Sequence, residues 1–194
     1  MNSIEKPPLV AVARHEMGHA FMAAYLDYRV GFSVYGKFPN GLGYGWTAYQ
    51  KPSLVDSAKI LNAGMLALYV NSVSGKPELA SFIDWFSDDS NLAISGISDW
   101  NQILTEQGKP LDEGLAFTIK HAILPYFEDV AGVLAGNRSK LDSLTNLAVK
   151  HPGIGRHMFY RLYHGGQPNR WDIIRDWHAV SQATKKEKRR FLGL

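Results

Sequence analysis

Two histidines four residues apart, with a glutamate directly after the first, stand in ARHEMGHAFMAAYL at residues 13–26. The surrounding stripe of Val12, His15, His19, Met22 and Leu26 has the three-and-four spacing of one helix face. Residues four apart on a helix carry Cβ atoms about 5–6 Å from each other. Two imidazole nitrogens can therefore converge on one Zn²⁺ at about 2.0–2.1 Å each. Glu16 lies about 60° around the helix from His19, beside such an ion but outside its ligand set. There it can take a proton from water whose pKa zinc lowers to about 7. Gly18 leaves the helix bare next to the ligands, although glycine costs about 1 kcal/mol in a helix. The competing reading is a buried histidine pair satisfied by hydrogen bonds, but two desolvated neutral imidazoles are poor core material unless something holds them.

A catalytic zinc takes three protein ligands and keeps one position open. The extended HExxHxxGxxH pattern is absent, with Met22 in place of its glycine and Tyr25 in place of its third histidine. The third ligand must come from elsewhere. The carboxylate candidates are Glu78, Asp84, Asp88, Asp89 and Asp99, and the imidazole candidates are His121, His151 and His157. The stretch SGISDW at 95–100 is favoured, because Ser98 is suited to cap a helix that carries Asp99 in its first turn. SDDSNL at 87–92 is its rival.

The elements that must position these groups follow from the pattern of the chain. Pro7 and Pro8 suit a first helical turn, opening a helix that runs to about Asp27. The aromatic and glycine-rich stretch 30–50 reads as two or three short strands around a Pro39-Asn40-Gly41 turn. Ser53 and Asp56 form a capping-box pattern before a second helix of about twenty residues. Residues 74–98 are broken by SGKP, SDDSN and SGIS and read mostly as loop with a short helix. Pro125 is expected to kink or interrupt a helix built from GLAFTIKHAILPYFEDVAGVLA. SKLDSLTNLAVK sets Leu141, Leu144 and Leu147 on one face. After a break at HPGIG come two shorter amphipathic helices, and HGGQPNRW reads as a turn into the last of them.

Composition narrows the function. The 194 residues carry a formal charge of +3 and no cysteine, which excludes thiol catalysis, disulfides and cysteine-rich zinc sites. The charge is too small and dispersed to argue for a nucleic-acid partner, and KKEKRR at 185–190 reads as a solvated helix end or frayed tail. No apolar run approaches the roughly 20 residues that span a bilayer, and the N-terminus lacks a signal-peptide pattern. No membrane partner is therefore expected, and the expected address is cytoplasmic. A phosphate-binding GxxxxGK[ST] loop is also absent.

Taken in order, HEMGH at 15–19, GLGYGW at 41–46, NAGMLALYV at 62–70, SGISDW at 95–100 and AGVLAGNRSKLDSLTNLAVK at 131–150 resemble the peptidase domain of the FtsH-type AAA proteases. Those domains carry an HEAGH helix, an ALGYT-like strand, an AGRAAEE-like helix and a GASNDL-like helix start. The resemblance covers about residues 9–150, with 151–194 as a C-terminal helical extension of a single peptidase-like domain, 1–194. It implies a mainly α fold with a small N-terminal β-sheet (α+β), an FtsH-peptidase-like zincin helical domain. It also implies Zn²⁺ as cofactor, with His15, His19 and Asp99 as ligands and Glu16 as general base.

The expected activity is a stand-alone zinc metalloendopeptidase acting on unfolded or extended polypeptides. Peptide would add to the edge of the strand that includes LGYGWTAY, against Gly43, Tyr44, Gly45 and Trp46, with Tyr49 nearby. A separate ATPase or a homo-oligomer is the further partner implied. The chain departs from the family where paired glutamates fall on Leu68 and Tyr69, which removes a carboxylate that could orient a ligating histidine. That departure supports the alternative, a non-catalytic binding or assembly module that keeps the fold and the metal.

Overall fold

The computed structural model describes residues 9–37, 43–88, 90–151 and 153–192. Helices dominate, and one small antiparallel sheet is set among them. The first helix, α1 (Leu9–Tyr25), is buried on every side from Ala13 to Ala24, with Arg14, His15, Glu16 and His19 among the buried residues, so each of these polar groups needs a partner inside the fold. Two strands follow, β1 (Val30–Lys37) and β2 (Gly43–Tyr49), paired antiparallel with Val34 opposite Trp46. The expected Pro39-Asn40-Gly41 turn and the expected start at Pro7 and Pro8 lie outside the described residues.

Ser53 caps α2 (Leu54–Ser72) as its sequence pattern requires. Its hydroxyl accepts from the Asp56 amide at 3.2 Å and donates to the Asp56 carboxylate at 2.8 Å. Tyr28 donates to the same carboxylate at 2.7 Å. These two hydroxyl bonds hold the Asp56 pKa below its ordinary value, and they tie the end of α1 to the start of α2.

The segment expected to be mostly loop is two helices, α3 (Leu79–Asp88) and α4 (Ser90–Glu106). Phe82 and Phe86 of α3 are buried, and Phe86 meets buried Trp100 of α4 edge-on at 4.9 Å. That aromatic contact outweighs the weak helix propensity of the serines and aspartates. Gly96 is no breaker either: a Cβ there would run into the Met65 side chain of α2. Asp99 therefore stands in the middle of α4, and Ser98 does not cap its start.

Pro125 does interrupt its helix. The short α5 (Leu115–Thr118) runs into a π-helical turn at Ile119–Ile123 before α6 (Phe127–Gly136) begins. In α7 (Arg138–Lys150), Leu141 and Leu144 are fully buried while Leu147 is only partly so. The HPGIG break contains a third strand, β3 (Gly153–Gly155), which pairs with β1 and gives the sheet order β2-β1-β3. Last come α8 (Arg156–Tyr163) and α9 (Arg170–Leu192). At 23 residues, α9 is longer than expected and takes KKEKRR into its final turns. Among the described residues no helix is long and apolar enough to cross a membrane.

Arg14 anchors α1 from its buried position, donating from Nε to the Ala67 carbonyl of α2 at 2.8 Å and from Nη1 to Asp142 of α7 at 2.6 Å. The helices α1 and α2 approach closely at Gly18, where a Cβ would overlap the Ala63 carbonyl oxygen and stand 2.8 Å from the Ala67 methyl. Overpacking of this kind costs about 1–3 kcal/mol, and here the obstacle is backbone, which cannot rotate away. The helix-propensity gain of about 1 kcal/mol for alanine offsets only part of it. Gly18→Ala is expected to lower the melting temperature by several degrees in a thermal unfolding scan. An unchanged or raised midpoint would show that the two helices have slack there.

Candidate metal centre

His15 and His19 project from buried α1 toward α2 and α4, and Asp99 reaches them from the middle of α4. The His15 and His19 Nε2 atoms are 2.9 Å apart. Asp99 Oδ2 lies 3.0 Å from the first and 3.3 Å from the second. These separations approach the edge of a tetrahedron whose centre bonds its corners at 2.0–2.1 Å, which is about 3.3 Å. Among the described residues, His15, His19 and Asp99 form the group of His, Asp and Glu side chains able to share one ion.

The donor chemistry also fits a metal. His19 Nδ1 lies 2.8 Å from the Ile60 carbonyl of α2; a carbonyl only accepts, so Nδ1 carries a proton and the neutral ring turns a bare Nε2 inward. Asp99 Oδ2 is buried with no hydrogen-bond partner of adequate angle. Three electron-rich atoms thus face one another in a largely buried space, and a cation between them would resolve the repulsion. In the metal-free protein a proton does so. Burial alone would lower the His19 pKa, but the Asp99 carboxylate, aided by Glu16, pushes it up to about 9. The Asp99 carboxyl is held well below its ordinary range, since His19 and His15 outweigh the effect of burial.

Glu16 stands beside this cluster and outside it. Its Oε2 accepts a hydrogen bond from Thr47 of β2 at 2.7 Å, and the Thr47 hydroxyl meets that of Ser33 on β1 at 2.7 Å. Burial raises the Glu16 pKa, although His19, His15 and the Thr47 bond pull the other way. A carboxylate raised from its ordinary value and held by one oxygen is suited to general-base chemistry. A Cβ on Gly45 would overlap the Glu16 carboxylate, nearest to Oε1.

A cavity of about 320 Å³ opens on the cluster, lined by Glu16, His19, Gly45, Trp46, Thr47, Tyr49, Asp99 and Gln102 among others. Of the expected substrate residues, Gly43 and Tyr44 begin β2, the outer strand of the sheet. Gly45 borders Glu16, and Trp46 both lines the cavity and packs edge-on against Phe32 at 5.3 Å. Tyr49 borders the cavity too. Its hydroxyl pKa is pushed up to about 12, by burial first and then by Asp99, Glu106 and Glu16.

The rival ligands lie elsewhere. Asp84 and Glu78 are exposed, the Glu78 backbone being held by the Tyr69 hydroxyl. Asp88 ends α3, and Asp89 lies outside the described residues. His121 packs on Phe117, and His157 pairs with Asp176 at 2.8 Å. His151 follows the last turn of α7 and takes no place in the cluster. Leu68 and Tyr69 are core residues. Among the described residues His15 Nδ1 is buried without a partner, whereas the Ile60 carbonyl orients the His19 ring.

Several positioning groups carry no motif of their own: Thr47, Ser33, the Ile60 carbonyl and Gly64. Only Gly64 left a signal, as an otherwise unfavourable glycine inside a helix. A Cβ at Gly64 would stand 2.5 Å from His19 Cε1 and 2.7 Å from His15 Nε2, so this glycine makes the room the two rings occupy.

No family model matches the chain, and no curated protein matches it in sequence. The site therefore rests on its geometry, which mutation can probe directly. Gly64→Ala is expected to weaken zinc binding by at least about tenfold, the lower end for disturbing the groups that support a ligand. Thermal stability should change little, because alanine is the better helix former. Competition with a chromophoric chelator measures the affinity, and unaltered binding would show that the rings do not need this space.

Proposed function

We propose that this chain is a zinc-dependent metalloendopeptidase that hydrolyses peptide bonds of unfolded or extended polypeptides in the cytoplasm. The observation that carries the reading is the convergence of His15 Nε2, His19 Nε2 and Asp99 Oδ2 with a separately held Glu16 carboxylate beside them. Bound there, zinc would polarise the scissile carbonyl and acidify the attacking water.

The protein's own groups supply the rest. Thr47 fixes Glu16 by Oε2, which leaves Oε1 to take the proton from water and return it to the leaving amine. The outer strand β2 offers main-chain groups to an extended peptide. Gly45 keeps the approach to Glu16 free of side chain. Folded proteins present no extended segment to such an edge, so a separate ATPase or an oligomeric assembly is the proposed means of delivering them.

A second reading is a binding or assembly module that holds the metal without turnover. The unpartnered His15 Nδ1 and the replacement of the paired glutamates by Leu68 and Tyr69 favour it. The two readings separate in one experiment. Elemental analysis and casein cleavage are measured for the wild type and Glu16→Gln, each metal-loaded and chelated. The peptidase reading expects zinc in both proteins and cleavage only in the metal-loaded forms, with the variant slower by about 10²–10⁴-fold. Equal cleavage by the variant, or cleavage that survives chelation, would overturn it. Zinc uptake without cleavage by either protein selects the module.

A further inference from the structure

The two faces of α9 differ sharply. Its inner face is fully engaged. Buried Asp176 accepts from the amides of His157 and Met158 at 3.1 and 2.8 Å, holding the start of α8. Buried Asp172 accepts from the Asn169 amide at 2.9 Å and pairs with Arg161. Val180 packs against Phe32 and Trp46 of the sheet.

Among the described residues the outer face has no partner of this kind. Trp171 and Trp177 are 67% and 66% exposed, and Ile174 between them is 50% exposed. Their spacing of three places them on one stripe. Single exposed apolar residues are ordinary on a protein surface, but two indoles and an isoleucine in register form a patch.

The exposed charge described around that stripe is mostly positive. Both acids of α9 before Lys185, Asp172 and Asp176, are turned inward and hydrogen-bonded, whereas Arg170, Arg175 and Lys185 are exposed. The run KKEKRR occupies the last turns of the same helix. Beside it, Arg156, Arg161, His164 and Arg175 line an open cleft of about 590 Å³, with Asp172 as the carboxylate in its wall. Among the described residues, Arg156 and Arg175 have no ion pair to neutralise them.

Indoles beside exposed cations match a surface that is apolar at one depth and anionic at the next. Tryptophan settles at the headgroup level of a bilayer, and basic residues near an anionic leaflet add attraction. We propose that the outer face of α9 docks this chain on the surface of an anionic phospholipid bilayer. Trp171, Ile174 and Trp177 enter the interfacial layer while Arg170, Arg175 and Lys185 meet lipid phosphates. The expectation of no membrane partner rested on the absence of a spanning segment, and a helix lying flat in the interface needs none. Part of the sheet lies between this helix and the metal cluster: Ser33 and Thr47 face Glu16, whereas Phe32 packs against Val180.

The test is flotation of the full chain with vesicles of phosphatidylcholine alone or mixed with phosphatidylglycerol, together with tryptophan quenching by brominated lipid. Wild type is expected to float at least about tenfold better with the anionic vesicles, with quenched emission, and to lose binding at high salt as screening shortens. The double variant Trp171→Ala, Trp177→Ala should bind about tenfold more weakly, with zinc content and melting temperature unchanged. Arg175→Glu with Lys185→Glu gives an independent reading should the tryptophan variant fold poorly, and it should abolish the preference for anionic lipid. Wild type that floats with neither vesicle, or equally with both, overturns the proposal. So does a soluble protein partner that protects the tryptophans while vesicles do not.

Discussion

The closeness of α1 to α2 is the constraint from which the rest of the structure follows. Gly18 brings the backbone of α1 against the Ala63 carbonyl, and one residue further along α2 Gly64 clears the space into which His15 and His19 turn. The two glycines face opposite ways across one interface: the first removes a side chain so that helices can touch, and the second so that imidazoles can fit between them. Arg14 clamps the same contact through the Ala67 carbonyl and Asp142. A wider gap would leave the His19 Nδ1 proton without the Ile60 carbonyl, and with it the orientation that turns Nε2 inward.

Around that interface the electrostatics follow from confinement. A buried carboxylate and two buried imidazoles are each expensive alone, and they coexist because positive charge can be shared among them. Glu16 is kept apart from this arrangement by the sheet, through Thr47 and Ser33. Two carboxylates a few residues' reach from each other are thus driven in opposite directions. Asp99 is held ionised by the histidines, while burial moves Glu16 toward the neutral form. Environments that push paired titratable groups apart are how acid and base roles are divided in many active sites.

Much of this was legible in the residues because it depended on local periodicity. His15, Glu16 and His19 are fixed relative to one another by helix geometry alone, and the Ser53 cap by four consecutive residues. The mainly helical fold with a small sheet follows from the same kind of signal. What local pattern did not reveal was tertiary. SDDSN and SGIS look like breakers, yet Phe82, Phe86 and Trp100 form a contact that holds two helices there. Gly96 reads as a loop residue until Met65 is seen lying over it. Asp99 was the favoured ligand for a reason that does not hold, since it heads no helix. Thr47 and the Ile60 carbonyl act by reaching across the fold, which no spacing in the sequence encodes.

The placement of Asp99 nine residues into a continuous helix has a thermodynamic consequence. A ligand carried on a loop must be immobilised when an ion arrives, and that ordering is subtracted from affinity. Here the carboxylate rides on a rod whose neighbours, Trp100, Ile103 and Leu104, are buried core. Its conformational freedom was surrendered when the polypeptide folded. Were an ion bound there as proposed, its uptake would require little rearrangement of α4.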